Sequence, residues 1–172
     1  MSYLLTSETL WSETVAIAAD EGLRLYDIER YGAGALRIYV ETLTPDQKTS
    51  SRDCTKLCRR LMSFFLVEGA RLGVGTEPEL EVSSPGVNRH LRLPEHFKSA
   101  VGERVKIGVR GELKEASGVE ASGETIKIGG LLGKLESVTD EEVLVSDERT
   151  KRNWQVPISQ IARANVEFNF GK

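Results

Sequence analysis

The chain has 172 residues, 40% of them hydrophobic and 28% charged, with a formal net charge of −3 and an isoelectric point near 5.6. That length holds one ordinary domain or two small ones. It excludes a polycation drawn to nucleic acid by overall charge, so any such contact needs a local patch.

Thr6 or Ser7 is placed to cap a first helix, with Trp11, Val15 and Ala18 on one face, Leu10 and Ile17 nearby, and Gly22 at its end. "LRLYDIER" then reads as a mixed strand. "YGAG" is a turn, and "ALRIYVE" alternates, with Leu36, Ile38 and Val40 on one side and Arg37 and Tyr39 on the other. This predicts a hairpin with one buried face. "TPDQKTSS" breaks the pattern and supplies serine caps for a second helix. There Cys54, Leu57, Cys58, Leu61 and Phe65 share a stripe, and Arg52, Lys56, Arg59 and Arg60 lie mostly elsewhere. "EGARLGVGTEP" is a loop and "ELEVS" a third strand, giving an α-β-β-α-β order with helices over one face of a small sheet.

The second half changes character. Leu93-Pro94-Glu95 opens a short helical turn through Phe97, ending near Gly102. "RVKIGVR", "LLGKLESV", "EVLVSD", "WQVPI" and "ARANVEF" follow as short strands, with turns at Asp140-Glu141 and Asp147-Glu148. Such a series predicts a small barrel of the SH3 or Sm type. Residues 111–124 are polar and weakly patterned and read as a mobile loop. Two domains are expected, 1–90 and 91–172.

Most catalytic readings fail. "GGLLGKL" lacks the hydroxyl residue that a phosphate loop needs after its lysine, because Leu135 follows Lys134; its glycines fit bends in barrel strands. "SSPG" is not a nucleophile elbow, although Ser83 or Ser84 with His90 keeps a serine hydrolase as a weak alternative. Cys54 and Cys58 are read as small core residues of a reduced protein, and with only His90 and His96 as histidines no zinc spacing arises. No cofactor is expected. A basic leader with a long apolar core is missing, and no apolar run approaches the roughly 20 residues that cross a bilayer, so a cytoplasmic protein is expected.

Charge is uneven. Residues 1–88 carry 9 Lys/Arg against 13 Asp/Glu, whereas residues 89–114 hold 7 basic and 3 acidic side chains. That basic run directly follows "LEVSSPGVNRHL". In it Ser84-Pro85-Gly86-Val87 suits a type II turn, with Pro85 fixing φ and Gly86 accepting φ > 0. Ser83, Ser84, Pro85 and Gly86 would aim the basic residues, and Arg89, Arg92, Lys98, Arg104 and Lys106 are the candidate phosphate contacts.

"LEVSSPGVNRHL" followed by "LPEHFKSAVGERVKI" resembles the signature of the bacterial ribosome maturation factor RimP family. "EGLRLYDIE", "ALRIYVE", "DCTKLCRRL", "GKLESVTDEEVLV" and "VPISQIARANVEF" extend the resemblance over nearly the whole chain. His90 stands where the family usually has proline, and Cys58 where serine is usual. The resemblance implies an α+β protein: an N-terminal α/β domain followed by a C-terminal SH3-like barrel. It implies a non-enzymatic assembly factor that binds the free small (30S) ribosomal subunit, its rRNA, and a ribosomal protein near the decoding region. A monomer in solution is expected. An Sm-like RNA-binding regulator, forming rings, is the alternative.

Overall fold

The computed structural model describes residues 8–32, 34–44, 47–116, 125–127 and 129–168. The chain divides into two compact units, Met1–Pro85 and Gly86–Lys172.

In the first unit, helix α1 (Glu8–Asp20) precedes strands β1 (Leu23–Tyr31) and β2 (Ala35–Thr42), helix α2 (Ser51–Glu68) and strand β3 (Leu80–Ser83). The sheet order is β1-β2-β3, with β1–β2 antiparallel and β2–β3 parallel. The return from β2 to a parallel β3 is made by α2, as a parallel pair requires. The expected α-β-β-α-β order is therefore present.

On β2, Leu36, Ile38 and Val40 are fully buried and join Leu57, Leu61 and Phe65 of α2 in one core. At β1 the alternation is broken by a bulge between Leu25 and Asp27, which explains why that strand reads as mixed. For α1 the expected face is corrected. Leu10, Thr14 and Ala18 are the buried residues, at i, i+4 and i+8, while Val15 is 40% exposed. Thr14 was missed because its hydroxyl donates to the Leu10 carbonyl at 2.7 Å, which satisfies it inside the core. Gly22, at φ +73, follows the helix as expected. Thr6 and Ser7 lie outside the described residues. Ser50 caps α2 in a box with Asp53: the Asp53 amide donates to Ser50 Oγ at 3.2 Å and the Ser50 amide to Asp53 Oδ2 at 3.0 Å.

The second unit contains helix α3 (Pro94–Ser99) and strands β4 (Arg104–Val109), β5 (Glu112–Glu115), β6 (Thr125–Lys127), β7 (Gly130–Val138), β8 (Glu142–Asp147), β9 (Asn153–Pro157) and β10 (Ile161–Val166). A short 3-10 turn separates β9 from β10. Two expectations are corrected here. First, β5 and β6 form an antiparallel ladder across the stretch read as a loop, with Leu113 fully buried. One apolar residue among polar neighbours gave too weak a period to see. Residues 117–124, the heart of that loop, lie outside the described residues. Second, no sheet closes into a barrel. The order β10-β4-β7-β8-β9-β5-β6 is open, and no ladder joins β10 to β6 among the described residues. Strand count and turn spacing cannot distinguish a closed barrel from an open sheet around one core. Trp154, Leu113, Leu131, Val145 and Val166 nonetheless share that core with Phe97 and Leu91.

Gly133 lets β7 and β8 approach each other. A Cβ built there would lie 1.9 Å from the Ser146 carbonyl oxygen. The glycine thus serves a close backbone approach, where a bend was expected.

Candidate functional site

The candidate residues fall on both sides of the unit boundary. Ser83 ends β3 and is half-buried, with its hydroxyl 3.4 Å from the Ser84 carbonyl. Ser84 is exposed and Pro85 half-buried. These residues close the first unit. Ser83 and Ser84 border an open groove between α2 and β3, which Cys54, Cys58, Arg59 and Glu81 also line. Both cysteines are free and half-buried, and burial pushes their thiols up. They are therefore poor nucleophiles and metal ligands at neutral pH.

Gly86 opens the second unit at φ +74, a positive value as expected, but the chain turns at Val87–Asn88, later than the expected Ser84-Pro85-Gly86-Val87 turn. Residues 88–91 then run beside β10. The Leu91 amide donates to Ala164 at 2.9 Å, the Val166 amide to Arg89 at 2.9 Å, and the Phe168 amide to the Asn88 side-chain oxygen at 2.8 Å. These bonds tie the whole segment from Asn88 to the second unit, ahead of the division expected at 90/91.

Along this segment the basic residues have acidic neighbours that a linear count hides. Arg89 is only 16% exposed and grips Glu103 with two nitrogens, at 2.6 and 3.3 Å, while also donating to the Ser99 carbonyl at 3.4 Å. Arg104 holds Glu148 in a fork at 2.7 and 3.0 Å. Lys98 pairs with Asp140 at 2.9 Å. Asp140 and Glu148 lie far along the chain and reach these cations only through folding. Each carboxyl is held below its ordinary range, Asp140 by the Lys98 ammonium and Glu148 by the Arg104 guanidinium. Lys106 is exposed on β4, and Arg92 is half-buried. His96 is buried, and its Nδ1 accepts from the Arg92 and Leu93 amides at 3.2 and 3.3 Å, so it caps α3 from within.

One polar centre of this unit escaped the sequence. Asp147 is 1% exposed. Burial alone would raise its carboxyl. The amide and hydroxyl of Thr150, both at 2.9 Å, and the Leu132 amide at 3.2 Å outweigh that and hold it below the usual range. Thr150 also accepts from the indole nitrogen of fully buried Trp154 at 3.2 Å. "SDERT" announces a turn by composition, but nothing in it announces a buried carboxylate.

No group of three or more His, Cys, Asp and Glu side chains is placed to hold a metal among the described residues. No helix among them is long and apolar enough to cross a membrane. The architecture defines a two-unit α+β protein, with hydroxyls ending the first unit and ion-paired cations near the start of the second.

A known family model matches part of the chain. Residues 15–88 match the RimP N-terminal domain, a span that runs from within α1 to beyond β3. The chain carries a RimP N-terminal domain, which supports its place in the RimP family of ribosome maturation factors, a non-catalytic family.

Proposed function

We propose that this protein is a non-catalytic ribosome maturation factor that works in the cytoplasm on the free small (30S) subunit, touching rRNA and a ribosomal protein near the decoding region. The observation that carries the reading is the RimP N-terminal domain match over residues 15–88. The mechanism is physical. A factor that binds one arrangement of rRNA more tightly than its competitors shifts the population toward it, with no covalent step. Ser83, Ser84, Pro85 and Gly86 shape the segment, Arg89, Arg92, Lys98, Arg104 and Lys106 are its phosphate contacts, and the carboxylate partners of Arg89, Lys98 and Arg104 must first yield. The protein acts as a monomer, each unit folding on its own.

Co-sedimentation with purified small subunits, large subunits and whole ribosomes tests the reading. The expected result is retention by free small subunits alone. Equal retention by all three, or by none, rejects it.

A further inference from the structure

The strongest unassigned feature is the outer side of α2. An open groove there is lined by four cations, Arg52, Lys56, Arg59 and Arg60, with Glu21 as the one carboxylate, and by hydroxyl residues including Ser51 and Thr55. The cations divide into two kinds. Lys56 and Arg60 are fixed by Glu21, Arg60 at 2.7 Å, and the Glu21 carboxyl is held low, first by Lys56 and then by Arg60. Arg60 also reaches Asp20. Arg52 and Arg59 are exposed, and neither guanidinium has a hydrogen bond or ion pair among the described residues. They stand two helical turns apart, about 10 Å along the axis.

We infer that this face of α2 is an RNA-backbone contact, with Arg52 and Arg59 as its phosphate-binding residues; this rests on the proposed action on the small subunit. Two guanidiniums about 10 Å apart along a helix cannot close on one phosphate, so the geometry suits a polymer presenting several anions. Planar guanidiniums fork onto phosphate oxygens, and hydroxyls such as that of Ser51 supply further polar contact. The groove between α2 and β3 shares Ser51, Thr55 and Arg59 with this one and ends at Ser83 and Ser84. A track thus leads along a single unit from Arg52 to the serines, past Glu81, whose carboxylate is paired with Arg37, and needs no residue of the second unit. The contrast with Arg89, Lys98 and Arg104 strengthens the assignment, because those cations are already matched by carboxylates of their own unit.

The test compares the wild-type chain with Arg52→Gln plus Arg59→Gln, using purified small subunits and protein-free small-subunit rRNA as probes over a salt series. Thermal midpoints should coincide, since both side chains are exposed. Affinity for both probes should fall about tenfold or more, and the slope of log affinity against log salt should flatten by roughly 1.4 to 1.8, the share of two phosphate contacts. Wild-type binding with an unchanged variant overturns the inference and leaves the proposed function standing. Loss on subunits with no loss on protein-free rRNA gives the face to a ribosomal protein and overturns the RNA assignment. A wild-type chain that binds neither probe removes the proposed function, and the inference with it.

Discussion

Both units pair many of their charged side chains, but they differ in the cations named as contacts. In the first, the cations of α2 line a groove, and two of them, Arg52 and Arg59, make no salt bridge among the described residues. In the second, cations and carboxylates are matched to each other, as in Arg89–Glu103 and Arg104–Glu148, and one carboxylate, Asp147, is built into the core. Yet by sequence count the first unit is the acidic one and residues 89–114 are the basic run. Charge available to a partner is what remains after folding has paired the rest, and a linear count measures something else. The more exposed pairs, Lys98–Asp140 and Arg104–Glu148, contribute little to stability, but they do lower the local field that an anionic partner meets.

If the second unit depends on its internal polar groups, Asp147→Ala should have the largest effect. It strands the Leu132 amide and the Thr150 hydroxyl–amide pair beside buried Trp154, and should cost about 3 kcal/mol in urea unfolding. Acid offers a second view of the same group. The folded carboxyl titrates below its ordinary range, so its contribution is complete above the unfolded aspartate value and is lost as pH falls through the lower, folded one. The wild-type advantage over Asp147→Asn should therefore shrink on acidification below about pH 4. A constant advantage down to strong acid would show that the carboxylate charge does not matter.

Backbone approach comes next. Gly133→Ala should cost about 2 kcal/mol, because its Cβ meets the Ser146 carbonyl, whereas Gly129→Ala, with nothing within 4 Å, should be nearly neutral. Equal urea midpoints for the two would contradict the close packing of β7 on β8.

These two sites also mark where sequence reading stops. The first unit was legible almost throughout, because apolar residues recur at helical and strand periods: Leu36, Ile38 and Val40 on β2, and Leu57, Leu61 and Phe65 on α2, all lie where the pattern puts them. Its one error, Thr14 for Val15, came from a hydroxyl satisfied by its own helix. In the second unit the strands β4 and β7 to β10 were readable, but β5 and β6 were not, and closure into a barrel was inferred from strand spacing that an open sheet also satisfies. At the candidate site the positive φ of Gly86 is legible in Pro85-Gly86, but the turn itself falls at Val87–Asn88. The pairing of Lys98 and Arg104 was invisible, since Asp140 and Glu148 lie 42 and 44 residues from them, and the Arg89–Glu103 contact, 14 residues apart, depends on the turn that folding makes between them.

A smaller effect is expected at Arg89. Arg89→Ala should lower stability by about 1–2 kcal/mol, since a mostly buried two-point contact to Glu103 is lost, and Arg89→Lys should recover only part of it. Reversing both Arg89 and Arg92 to glutamate should therefore lower the thermal midpoint together with small-subunit binding. Reduced binding with an unchanged midpoint would instead return Arg89 to the role of a direct phosphate contact.

The smallest expected effect decides whether the paired cations of the second unit meet RNA at all. Asp140 and Glu148 stand against Lys98 and Arg104 at the surface. Asp140→Asn with Glu148→Gln keeps the shape and removes two negative charges from beside the two cations. Stability should change little, because both pairs are solvent-exposed and screened. If the surface faces phosphate in the complex, the carboxylates are like charges to the ligand, and their removal should raise affinity for small subunits severalfold at low salt, with the gain fading as salt rises. If the surface faces solvent, affinity should be unchanged at every salt concentration. A fall in affinity would mean that the carboxylates themselves hold a basic partner, which would make this side of the second unit a contact for a ribosomal protein. The α2 variants provide the contrast. There cations are removed and binding should fall, while here anions are removed and binding should rise, and only a ligand of negative charge meeting both units gives the two opposite signs.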